Sequence, residues 1–154
     1  MTYIFYFLVW TLMLYWIHRF SHSSKFMMKF HGLHHGFINR NLQNGKVARW
    51  HWSNLFLFND NWTSTIDLWL TEVIPTVIMS AITGQWWLFI FYYVWAAFIQ
   101  EPIEHNPKFN LPFFLSGKKH LIHHKNTQVN YGLFFPIWDK LFQTYAGTKY
   151  FNPT

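Results

Sequence analysis

Apolar positions gather into long runs along this chain, and polar positions fall in the segments between them. Residues 1–17 contain no Asp, Glu, Lys or Arg and mix aliphatic residues with Tyr and Trp. This predicts a helix long enough to cross most of a hydrocarbon layer, which needs ~17–25 apolar residues. The run does not read as a cleavable leader: it lacks a basic start and a small-residue cleavage site, and His18-Arg19 follow it directly. A second apolar region covers about residues 66–100 and breaks at Thr83-Gly84-Gln85. At ~1.5 Å per residue it has the length for two short spans joined by a tight turn. Pro75 is expected to kink the first of these helices, and Glu72, costly in lipid, to face the bundle or a polar cap.

The expectation is therefore an all-α, integral-membrane single domain over residues 1–154, with about three transmembrane helices. One span before the early polar segment and two spans before the late one return the chain to the same side. All twelve Lys and Arg, from Arg19 to Lys149, lie in the segments assigned to that side. The positive-inside rule makes it cytoplasmic. Trp50, Trp52, Trp62, Trp86 and Trp87 flank the apolar runs as interfacial aromatics do, although packing explains each equally well.

Composition supports this reading. Hydrophobic residues make up 51% and charged residues 12%, about half the charge of a typical soluble domain. The net charge of +6 is spread among apolar runs and not massed on one polar stretch, so nucleic acid is not the expected partner. With no Cys, disulfides and thiolate metal sites are excluded, and any metal must be held by His, Asp or Glu.

Ten His are present, and most are clustered. His18 and His22 have an i, i+4 spacing directly after the first run. His31-Gly32-Leu33-His34-His35 and His120-Leu121-Ile122-His123-His124 repeat one pattern, which puts three imidazoles on one side of a helical turn. Random placement would give such a match about 0.04 times per chain of this composition, so two copies point to a function. Neutral imidazole ligates iron, copper or zinc, and eight imidazoles exceed the needs of one ion, so two ions are expected. His105 is a candidate ninth ligand. Glu101 and Glu104 could each be a carboxylate ligand or a partner that orients an imidazole. His51, isolated between two Trp, is read as interfacial or packing.

These residues resemble the fatty acid hydroxylase and sterol desaturase superfamily of membrane di-iron, histidine-box enzymes. The resemblance rests on His18-x-x-x-His22, His31-x-x-His34-His35 and His120-x-x-His123-His124. It also rests on Asn130-Tyr131-Gly132 and on Trp138-Asp139-Lys140-Leu141-Phe142-Gln143-Thr144-Tyr145, where Gln143 stands in place of the family's usual Gly. The resemblance implies transmembrane helices below a cytosolic helical cap carrying the boxes. It implies two iron ions held by His18, His22, His31, His34, His35, His120, His123 and His124, with His105 added. Some members have a His where this chain has Glu101.

The implied function is an oxidoreductase that hydroxylates or desaturates the hydrocarbon part of a lipid, with dioxygen as co-substrate. Electrons would come from a separate cytochrome- or ferredoxin-type donor with its reductase, because the chain is short and carries no fused cytochrome domain. The implied location is the endoplasmic reticulum of a eukaryote or the inner membrane of a bacterium. A zinc-dependent membrane hydrolase and a non-catalytic membrane metal-binding protein are the other readings.

Overall fold

The computed structural model describes residues 2–59 and 61–148. Met1 and Lys149, both counted in the sequence reading, lie outside the described residues. Among the described residues the chain is helical, with no strand. Helix α1 (Thr2–Ser21) is followed by α2 (Met28–Gln43), a short 3-10 helix (Trp52–Phe56), α3 (Trp62–Leu68), α4 (Ile74–Thr83), α5 (Trp87–Trp95), α6 (Lys118–Lys125) and α7 (Ile137–Leu141). A π-helical stretch, Trp69–Val73, joins α3 to α4, and another, Ala96–Glu104, extends α5.

The π stretches have a sequence cause. Proline lacks an N–H, and its ring crowds the carbonyl four residues back. Pro75 sits at the first turn of α4, just past one stretch, and Pro102 lies inside the other. Widening the helix to an i→i+5 pattern accommodates each ring without breaking the rod. The expected kink at Pro75 thus takes the form of a locally widened helix.

The turn after α4 falls where expected, with Gly84 as its C-cap in the left-handed region (φ 69°), a conformation that glycine adopts at low cost. Helices α1, α4 and α5 pack around a core that includes Trp10, Leu14, Val73, Leu88, Tyr92 and Phe134. Trp10 donates its indole N–H to Thr76 Oγ1 across that core (2.9 Å). Glu72 is buried and accepts from Gln100 Nε2 at 3.0 Å, so it faces the bundle as expected.

The continuous helical run Trp62–Thr83 is long and apolar enough to cross a membrane. α1 falls short because its Tyr and Trp residues together with His18 and Arg19 lower its mean hydropathy. The outer faces of α1, α4 and α5 with its extension are nonetheless apolar. Exposed stripes run through Ile4, Phe5 and Val9, through Ile74, Ile78 and Ile82, and through Ile90, Val94 and Phe98.

The C-terminal signature folds into a clasp against α1. Asp139, fully buried, accepts from the Tyr131 and Gly132 backbone N–H groups (2.7 and 2.8 Å) and from Thr144 Oγ1 (2.7 Å). A Cβ at position 132 would meet Leu115, Asp139 and the Phe135 carbonyl within 2.8 Å, which is why glycine stands there. Trp138 donates to Thr11 Oγ1 (3.0 Å) and fixes the clasp to the first helix.

Gln143 occupies the left-handed region, with φ 59°. A side chain there is strained and glycine is not. Gln143→Gly should therefore stabilise the fold by about 0.5–1 kcal/mol, read as a higher thermal midpoint in detergent. An unchanged or lower midpoint would show that the Gln side chain compensates for its backbone.

Candidate metal centre

The sequence-predicted histidines come together from four separate segments. One group contains His18, His22, His31, His35 and His123, with ligand atoms all within 4.8 Å of one another. A second contains His34, His105 and His124 on the same criterion. His120 joins the second group, its Nε2 2.9 Å from His124 Nε2 and its ring 5.0 Å from that of His105. The groups adjoin where the rings of His35 and His124 stack at 4.1 Å. Five imidazoles thus stand beside four. His51 is elsewhere and caps the short helix Trp52–Phe56.

Two details differ from the sequence expectation. α1 ends at Ser21, so His22 sits in the turn just beyond it, with its ring 5.4 Å from that of His18. Each His-x-x-His-His box also divides between the groups and does not aim at one point. On α2, His31 and His35 enter the first group and His34 the second; on α6, His120 and His124 enter the second and His123 the first. At ~3.6 residues per turn, positions i and i+4 nearly align, whereas i+3 and i+4 point about 100° apart. Asn39 Nδ2 donates to the His124 carbonyl (2.9 Å) and holds the two helices side by side.

Three of the rings are oriented from behind. The Nδ1–H of His31 donates to Asp67 (2.9 Å), that of His18 to the Tyr131 carbonyl (2.6 Å) and that of His123 to the Val129 carbonyl (2.8 Å). A neutral imidazole with its proton on Nδ1 presents a bare lone pair at Nε2. The Nε2 atoms of His22 and His123 lie 3.0 Å apart, those of His31 and His22 2.9 Å, and those of His35 and His31 3.1 Å. Around an ion with nitrogens at about 2.1 Å, adjacent octahedral positions are about 3.0 Å apart and tetrahedral ones about 3.4 Å. The spacing fits the edges of an octahedral shell.

The glutamates lie close to two further rings. Glu104 Oε1 is 3.4 Å from His120 Nδ1, and Glu101 Oε2 is 3.6 Å from His105 Nδ1. Both contacts are longer than a good hydrogen bond; His120 turns its other nitrogen, Nε2, to His124, so Glu104 stands behind that ring. Asp67 plays the same part for His31 and was missed in the sequence reading. Its signal was a carboxylate inside an apolar run, the feature that had drawn attention to Glu72.

Burial and the neighbouring imidazoles hold these rings neutral. Burial, with His31 close by, lowers the pKa of His18 to about 3. Burial lowers those of His31 and His34 to about 4. His35, His120, His123 and His124 are pushed well down by burial and by each other. A cavity of about 30 Å³ adjoins the cluster, lined by seven of the nine imidazoles and by Asn59, Ser64, Leu68, Thr71, Glu72, Gln100 and Leu133 among others. It has room for a diatomic molecule or a water.

The fatty acid hydroxylase family model matches residues 3–144. The chain belongs to the fatty acid hydroxylase family. Within that family it is similar to a Delta(7)-sterol 5(6)-desaturase of Gibberella zeae, with 29% identity over 86% of this chain and 34% of the relative. It is similar also to a Delta(7)-sterol 5(6)-desaturase of Aspergillus fumigatus, with 27% identity over 86% of this chain and 35% of the relative. The chain thus spans about a third of the length of these curated relatives. No solved structure matches it.

The physics of the cluster gives two predictions. The unfolded chain protonates its imidazoles near pH 6.5, but the fold admits protons at His18, His31 and His34 only near pH 3–4. Between those values the unfolded state binds more protons, so stability falls as pH falls, and protons displace metal in the same direction. The thermal midpoint of the metal-free chain should hold above pH 7 and fall between about pH 6.5 and pH 4; a midpoint that does not move across that window would contradict this. Asp67→Asn should keep the fold, by circular dichroism, and weaken metal affinity roughly 10–100-fold. Unaltered affinity in a competition titration would remove Asp67 from the orienting role.

Proposed function

We propose that this family member is a membrane-bound di-iron oxidoreductase that hydroxylates or desaturates the hydrocarbon part of a lipid with dioxygen. The observation that carries the reading is the convergence of nine imidazoles into two adjoining groups with Nε2 atoms about 3 Å apart. Nine nitrogen donors suffice to hold two ions, and the adjoining cavity provides an approach for a small molecule. A zinc hydrolase needs three ligands on one tetrahedral ion with an open position and leaves the other six imidazoles unexplained.

Bound iron would supply the oxidising power for an unactivated C–H bond, chemistry beyond any side chain. His18, His22, His31, His35 and His123 would hold one ion, and His34, His105, His120 and His124 the other. Asp67 and the Tyr131 and Val129 carbonyls keep His31, His18 and His123 turned inward, and Glu104 and Glu101 stand close to His120 and His105. The desaturase names of the two curated relatives favour a lipid substrate. The exposed apolar stripes on α1, α4 and α5 suit helices embedded in lipid, with α2, α6 and the clasp forming a cytosolic cap. In that arrangement the cluster sits where the helices leave the bilayer, within reach of a lipid chain.

Mass spectrometry of lipids from cells with and without the expressed chain should reveal a product that has gained one oxygen or lost two hydrogens. His123→Ala should abolish that product and lower bound iron below two per chain. A product that persists unchanged in this variant would contradict the assignment.

A further inference from the structure

We infer that residues 50–59, in the connection between α2 and α3, form a re-entrant element that dips into the lipid hydrocarbon beside α5 and ends on the wall of the metal cavity. This rests on the reading of α4 and α5 as helices embedded in lipid. The segment stands outside both apolar runs of the sequence, yet it carries no Asp, Glu, Lys or Arg, and six of its ten residues are Trp, Leu or Phe. Trp52 and Phe56 are 68% and 80% exposed, a display that suits acyl chains and not water.

The depth of the segment follows from three hydrogen bonds to the helical hairpin. Trp50 Nε1 donates to the Ala97 carbonyl (2.9 Å), Tyr93 Oη to the Leu55 carbonyl (3.0 Å) and Trp69 Nε1 to the Leu57 carbonyl (3.1 Å). Counted from Gly84 at the far turn, these hairpin residues stand about 20, 14 and 22 Å along helices that rise ~1.5 Å per residue. The segment therefore descends from Trp50 to Leu55 and climbs again by Leu57, which makes the reversal in the left-handed region (φ 52°). Its lowest point comes near the middle of a hydrocarbon layer about 30 Å thick.

Backbone pairing argues independently for the same surroundings. In hydrocarbon every backbone polar group needs a partner in the protein, and irregular backbone is tolerated only where it has one. Here the N–H groups of His51, Ser53, Asn54, Leu57, Phe58 and Asn59 are all paired, within the segment or with Thr65. The Leu55 and Leu57 carbonyls take the phenol and indole donors of the hairpin. At its inner end Asn59 lines the cavity beside the imidazoles. Asn54 Nδ2 donates to Asn59 Oδ1 (3.3 Å), and the Asn59 N–H donates to Thr65 Oγ1 (3.0 Å). One short segment thus runs from the lipid to the metal cavity.

The chain has no Cys, so Phe56→Cys and Trp52→Cys each create one labelling site. The full, iron-loaded chain is labelled with bimane and placed in phosphatidylcholine nanodiscs. The quenchers are a nitroxide midway along the acyl chain, a nitroxide on the headgroup, and iodide in the water. Val94→Cys, on the exposed stripe of α5, reports lipid; Lys46→Cys, exposed beyond the end of α2, reports water. Iron content equal to that of the wild-type chain selects folded samples.

The labels at positions 56 and 52 should lose fluorescence to the acyl-chain nitroxide as fully as Val94→Cys does, and should resist iodide. Iodide quenching at both positions to the extent seen for Lys46→Cys overturns the proposal, as does greater loss to the headgroup nitroxide than to the acyl-chain one. So does protection from all three quenchers, which would assign this face to a protein contact such as a second copy of the chain. Iodide quenching of Val94→Cys would instead overturn the membrane reading of the hairpin, and this proposal with it.

Discussion

Three buried imidazoles turn unprotonated nitrogens into a site crowded by six more, and the rest of this fold is organised around that constraint. Burial alone would be no obstacle, because neutral imidazoles sit readily in apolar surroundings. The cost comes from orienting them inward. Asp67 and the Tyr131 and Val129 carbonyls fix the proton of three rings on Nδ1, which forces the opposite nitrogens to converge unprotonated. A fold that spends hydrogen bonds in this way is built for a metal.

The division of the boxes gives their spacing a physical meaning. A pair at i and i+4 serves one group, and the third His, about 60° from one member of the pair and 100° from the other around the helix, serves the other group. α2 and α6 do this reciprocally, two for one and one for two, so each helix contributes to both groups. The i, i+3, i+4 pattern is therefore a bridge between two sites. The C-terminal clasp belongs to the same design: Asp139 organises the Tyr131 turn, and the Tyr131 carbonyl orients His18. A signature far from the first helix in sequence thereby sets the first ligand candidate of the cluster.

Much of this was legible from the chain alone, because helical periodicity converts spacing into direction. The all-helical class, the break at Gly84, the inward-facing Glu72 and the gathering of nine His followed from local pattern and recurrence. The roles of Asp67, Glu101 and Glu104 did not. Whether a carboxylate faces the front or the back of an imidazole depends on the packing of α3 and of the π stretch after α5, and no local pattern encodes that. The π stretches were equally hidden, since Pro75 and Pro102 signal a disturbance without specifying its form. Gln143 is a different case: the departure from glycine was visible in the sequence, and only the φ of 59° gave it a cost.

The central claim is that the two imidazole groups hold a pair of metal ions. X-ray absorption at the iron edge of the purified, iron-loaded chain tests it most directly. The account predicts two irons per chain, each with a first shell dominated by imidazole nitrogen at about 2.1 Å, and scattering from the second ion. A single iron, or a first shell of water and carboxylate oxygen with little imidazole, would contradict it.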